Sequence, residues 1–168
     1  MKKHFTLFLL FTSILSFAQK LTLNELLSLR KKGVAEVDEY LTAKKWKFLE
    51  AEEPTDETLG LISYDYKKNY YDNNAESFIK YYYSGYSDNT RRIMIQVHNN
   101  SVLNTYVNQI KAWGGKLYNS YVDDGDIIKI YRGSTMTYKV ITSTQNNSFG
   151  GTQSIYMLII YTNEDFDY

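Results

Sequence analysis

Residues able to do acid–base, nucleophilic or metal chemistry are sparse in this chain of 168 residues. There is no cysteine, and of the two histidines one, His4, lies in an apolar leader, which leaves His98. His98 ends a strand pattern beside Asn99-Asn100, and it is expected to be exposed or hydrogen-bonded without a chemical role. A small hydrolase using His98 with a nearby acid is the alternative, and it rests on residue types alone. Zinc needs several His or Cys ligands, which the chain does not supply. No G-x-S-x-G elbow is present. Carboxylates gather in Glu50–Glu57 (EAEEPTDE), in Asp123-Asp124-Gly125-Asp126, and in the tail Glu164-Asp165-Phe166-Asp167. The first cluster holds the only proline and reads as a solvated loop. The second reads as a hairpin turn, with a spacing unlike that of an EF-hand calcium loop. The glycines of Asn146-Asn147-Ser148-Phe149-Gly150-Gly151 have neither the lysine nor the following helix of a phosphate cradle. No catalytic residue, cofactor or metal is therefore assigned.

What the chain has in quantity is tyrosine, 17 in all, four of them within the seven residues Lys80–Tyr86 (KYYYSGY). Neighbouring residues of a strand point to opposite faces, so Tyr81 and Tyr83 are expected on one side of a sheet and Tyr82 on the other. Tyrosine is a good strand former and stacks across strands, which makes a structural role the first expectation. It is also large, stiff and amphipathic, and with Asn, Asp and Ser it makes adaptable recognition surfaces. On that reading the candidate binding residues are Tyr82, Tyr86, Tyr70 and Tyr71, and the expected partner is a protein or a saccharide.

The elements that must hold these residues follow from periodicity. Thr22-Leu23-Asn24-Glu25 is a capping box opening a helix to about Lys31. Gly33 stops it, and Val34, Val37, Tyr40 and Leu41 mark one face of a second helix. The period then becomes two over Ile62–Tyr66, Ile79–Tyr83 and Ile93–Val97. It returns to 3.6 over Leu103, Tyr106, Val107, Ile110 and Trp113, with Asn100 or Ser101 as cap and Gly114-Gly115 as stop. Lys116–Tyr121, Asp126–Arg132, Thr135–Thr144 and Ser154–Tyr161 read as a strand meander. Tyr40 aligned with Tyr106 and Trp46 with Trp113 suggests two related halves, 34–98 and 101–161.

The expected fold is thus α+β: helices packed on one face of an antiparallel sheet, in two tandem helix-plus-four-strand halves. In element order this layout resembles the beta-lactamase inhibitor proteins and the TATA-binding protein saddle. The resemblance implies a sheet with one face free to grip another molecule, and it carries over no site residues. A deep cavity lined by Trp113 and Tyr106 would instead suit a carrier of a small apolar ligand.

Residues 1–18 have the form of a secretory signal: Lys2 and Lys3, an apolar run from Phe5 to Phe17, then Ser16 and Ala18 at the spacing a signal peptidase reads. The run is shorter than the roughly 20 residues of a spanning helix. The expectation is a secreted or periplasmic protein of one domain, residues 19–168, without a membrane span after cleavage and without disulfides. Loss of Lys2 and Lys3 takes 19 basic residues to 17, against 19 acidic ones. The basic residues are scattered, so nucleic acid is not an expected partner.

Overall fold

The structure, a computed structural model, describes residues 21–68, 75–87, 90–146 and 151–167. In chain order the elements are α1 (Leu23–Arg30), α2 (Val34–Ala43), β1 (Lys47–Glu52), β2 (Gly60–Tyr66), β3 (Ser77–Tyr83), β4 (Arg91–Val97), α3 (Asn100–Ala112), β5 (Lys116–Asp123), β6 (Asp126–Arg132), β7 (Met136–Asn146), β8 (Thr152–Thr162) and α4 (Asn163–Asp167). The eight strands make one antiparallel sheet in the order β1-β2-β3-β4-β8-β7-β6-β5. That order reads alike from either edge: each half is a helix followed by a four-strand meander, and the halves join along β4 and β8.

Helix α1 opens on the capping box expected from the sequence, with Thr22 and Glu25 exchanging side-chain and backbone hydrogen bonds. Helix α3 is capped one residue earlier than expected, by Asn99, whose side-chain oxygen accepts from the Ser101 amide at 2.8 Å. Helices α1, α2 and α3 cover one face of the sheet. Leu26, Leu29, Val37, Leu41, Leu103, Tyr106 and Ile110 meet Ile62, Tyr64, Ile79, Tyr81, Ile93, Ile95, Leu158 and Ile160 in one continuous core. Tyrosines buried there keep their hydroxyls satisfied, as burial demands: Tyr81 donates to the Lys32 carbonyl at 2.6 Å, Tyr64 to Asp38 at 2.8 Å and Tyr106 to the Leu21 carbonyl at 2.6 Å.

The two halves share local backbone features, at a spacing that the aromatic residues do not reveal. Lys45 and Gly114 end their helices in the left-handed region, at φ 67° and 85°. The next amides, of Trp46 and Gly115, donate to Leu41 and Ile110 at 3.0 and 2.9 Å. A register shift follows in each first strand, between Phe48 and Glu50 and between Leu117 and Asn119. Every one of these pairs is separated by the same interval, which sets Trp46 against Gly115 and Val37 against Tyr106. The pairing of Trp46 with Trp113 does not hold: Trp46 is a core residue, while Trp113 is 43 % exposed beyond the end of α3. Glu50 and Glu52 likewise lie in β1 and not in a loop. An edge strand open to water carries charges at little cost, which hides it from a hydropathy pattern.

The second face of the sheet is crossed by rows of registered side chains. One runs Tyr121, Ile128, Ile141 and Met157 through the second half, then Gln96, Phe78, Asp65 and Lys47 through the first. The next has Ile130, Lys139 and Ile159, then Met94, Lys80, Ser63 and Glu50. This face is mainly apolar in the second half and mainly polar in the first. Among the described residues the one helix against it is the five-residue α4, whose Phe166 packs on the cluster of Ile128, Ile130 and Ile141. No helix of the described residues is long and apolar enough to cross a membrane.

Candidate functional site

Strand β3 sorts its tyrosines as the alternation rule requires. Tyr81 is fully buried under the helices, and Tyr83 stacks on it at 6.0 Å between ring centroids and 16° between planes. Tyr82 points to the second face, in register with Leu61 on β2 and Arg92 on β4. Burial raises the Tyr82 hydroxyl pKa, and the nearby Arg92 guanidinium opposes that shift. Arg92 lies over the Tyr161 ring at 5.3 Å and donates to both oxygens of Asp165 from Nε and Nη2, at 2.8 and 2.9 Å. Phe166 meets Tyr161 edge to face at 5.4 Å. The site is therefore a cation over the Tyr161 ring and beside Tyr82, fixed by a two-pronged ion pair to α4.

Of the other candidates, Tyr86 is 80 % exposed in the turn after β3, where its hydroxyl donates to Asp56 and its amide to the Ser84 Oγ. It belongs to the rim near the acidic loop and not to the face. Tyr70 and Tyr71 lie outside the described residues. Arg92, Tyr161 and Asp165 were not singled out from the sequence. A signal was present in the alternation of β8 and in the acid pattern of the tail, but the tail gives no sign that it folds back as α4 over Arg92.

His98 is half-buried, and the Gln153 amide lies 3.0 Å from its Nδ1. With the amide donating, the proton sits on Nε2, which is buried without a partner. Burial lowers the His98 pKa. No acid or hydroxyl of the described residues is hydrogen-bonded to it, so the set a hydrolytic triad needs is not assembled there. Among the described residues no three His, Asp or Glu side chains converge as metal ligands, the turn of Asp123, Asp124 and Asp126 included.

On the helix side a cavity of about 450 Å³ opens between α1, the end of α3 and the turn joining β6 to β7. Leu27, Ile110, Trp113, Met136 and Tyr138 supply apolar wall, and Arg30 the buried charge. Arg30 donates from Nη1 to the Arg91 carbonyl at 3.0 Å, while its Nε is sealed and without a partner. Tyr106 is absent from this wall. It borders instead a void of about 10 Å³ at another place in the core, room for one water at most. Comparison of the chain with protein-family models, curated proteins and solved structures gives no match.

Proposed function

We propose that the protein works by binding, offering the second sheet face around Tyr82, Arg92 and Tyr161 to a protein or a saccharide outside the cytoplasm. The observation that carries this reading is the one-sided layering: the three longer helices all pack on one face. The other face keeps half-buried aromatic and cationic side chains in register across β3, β4 and β8. Flat rings beside a fixed guanidinium suit sugar rings as well as peptide planes. The leader supports secretion or a periplasmic location. The test sets the protein and its Tyr82→Ala variant side by side against a glycan array and an extracellular extract. A ligand held by the wild type and released by a variant of unchanged melting temperature supports the reading. Equal retention by both contradicts it.

The cavity beside Arg30 favours a second reading, a carrier of a small apolar acid. Its volume is in the range of small-molecule sites, about 300–1,000 Å³. A buried guanidinium hydrogen-bonded to a carbonyl, with only the more distant charge of Asp165 to offset it, would gain from an anionic head group. Trp113 at the cavity reports occupancy directly. Titration with aromatic and aliphatic carboxylates should change its emission, and a flat titration by both classes removes this reading.

A further inference from the structure

Strand β5 is an outer edge of the sheet, and all eight of its residues are exposed. Of the ten exposed large apolar or aromatic side chains among the described residues, five lie in the β5–β6 hairpin: Leu117, Tyr118, Tyr121, Val122 and Ile127. Natural edges are usually guarded by interior charges, proline or a covering element. Between Lys116 and Asp123 this strand has no charge and no proline. Its guards are the bulge at Tyr118 and the Asn119 side chain, whose Oδ1 accepts from the Ser120 amide at 2.8 Å and has to turn away for a strand to add.

Read in the two directions, the strand is complementary to itself. Antiparallel pairing about a two-fold axis between Asn119 and Ser120 sets Lys116 against Asp123, Leu117 against Val122 and Tyr118 against Tyr121, each twice. The faces agree as well as the letters. Leu117 and Val122 are registered with Tyr131 and Ile127, on the helix side of β6. Tyr118 lies 5.4 Å under the Arg132 guanidinium, and Tyr121 is registered with Ile128, both on the second face. The bulge leaves Asn119 and Ser120 on opposite faces, so the two central pairs, Asn119 with Ser120 twice over, are the mismatched ones, and they fall on small polar side chains. The charge arrangement also improves. Asp123 is registered with Asp126 in its own hairpin, a like-charge pair that costs stability, and a partner's lysine would offset it. The other edge, β1, fails the same test, because the equivalent axis, between Glu50 and Ala51, sets Leu49 against Glu52.

We infer that the kind of partner this edge fits is a second copy of the chain, joined β5 to β5 in a symmetric dimer with one continuous sheet. This contact is separate from the face around Tyr82, so a monomer would leave the proposed function standing.

The test is a charge swap read by sedimentation velocity over a concentration series, with melting curves to certify folding. The wild type should be a dimer that dissociates on dilution. Lys116→Asp and Asp123→Lys each set like charges against each other twice, and each should weaken the dimer at least tenfold. The double swap Lys116→Asp/Asp123→Lys recreates both attractive pairs and should restore it. A wild type that stays monomeric at every concentration overturns the proposal. So does a dimer indifferent to the single swaps, or single swaps that weaken it without rescue by the double. Should a single variant fail to fold, Ser120→Pro, which blocks strand addition from an exposed position, gives the same reading: a folded monomer supports the pairing and a folded dimer refutes it.

Discussion

Replacing Glu25 by Gln should cost stability at neutral pH and little in acid. The Glu25 carboxylate accepts from the Thr22 amide at 2.6 Å, the Thr22 hydroxyl at 2.9 Å and the Tyr40 hydroxyl at 2.8 Å, and it pairs with the Lys44 ammonium. Burial acts to raise its pKa, but the lysine and the other donors outweigh burial and hold it at about 2, below the ordinary 4.5. A carboxylate depressed in the folded state stabilises the fold above its unfolded pKa, and the gain is lost as pH falls towards the folded value. Two and a half pH units correspond to an upper limit of about 3.4 kcal/mol, of which roughly 2 kcal/mol is gone by about pH 3. The pair is partly open to water, with 26 % of the Glu25 and 35 % of the Lys44 side chain exposed, so about 2 kcal/mol at neutral pH is the working figure. Urea unfolding of both proteins from neutral pH to about pH 3 measures the gap. It should close through the window from pH 4.5 downward. A gap that is constant with pH would refute the assignment of this network as the charged tie between α1 and α2.

Gly60→Ala should destabilise the fold by about 1–3 kcal/mol, because a Cβ there would stand 2.5 Å from Tyr83 Cζ and 2.9 Å from Pro54 Cδ, so the Tyr83 ring must shift from its stack on Tyr81; thermal unfolding measures it. Asp165→Asn should cost about 1–3 kcal/mol by leaving Arg92 without its counter-charge, and limited proteolysis should show the α4 segment cut faster than in the wild type. The lowered pKa of His98 means that its neutral form belongs to the folded state. Stability from this source is complete above the ordinary histidine value near 6.5 and declines as pH falls below it. His98→Gln should flatten that part of the stability profile.

Much of the layout is legible in the sequence because local rules and tertiary packing agree there. Thr22 and Glu25 sit at capping-box spacing and form one, and Leu103, Tyr106 and Ile110 of the α3 stripe are buried as expected, while Trp113 at its end is not. The division of Tyr81, Tyr82 and Tyr83 between two faces follows from the pleat alone. Other features depend on contacts distant in sequence. Glu50 and Glu52 can lie in a strand only because β1 is an edge, and edge position is decided by the chain as a whole. Trp46 and Trp113 look equivalent as letters, but equivalence in the fold is set by the turn after each helix, where Lys45 and Gly114 take the same backbone form. The same holds for the site. Tyr82 is readable from its strand, whereas its neighbours Arg92 and Tyr161 are brought to it by the junction of β4 with β8, and Asp165 by a helix the acidic tail does not announce.

Binding at Tyr82 and Arg92 requires that the second sheet face be reachable between its buried members Leu61, Ser63, Asp65 and Met94, and the absence of native cysteine makes that directly measurable. Single variants Lys80→Cys and Lys139→Cys place thiols on that face, and Ile95→Cys places one under the helices. Lys80 and Lys139 are half-buried, so maleimide labelling of the folded proteins should modify the first two more slowly than the unfolded chain but much faster than Ile95→Cys, which is protected. Protection of all three alike would mean that both faces are sealed.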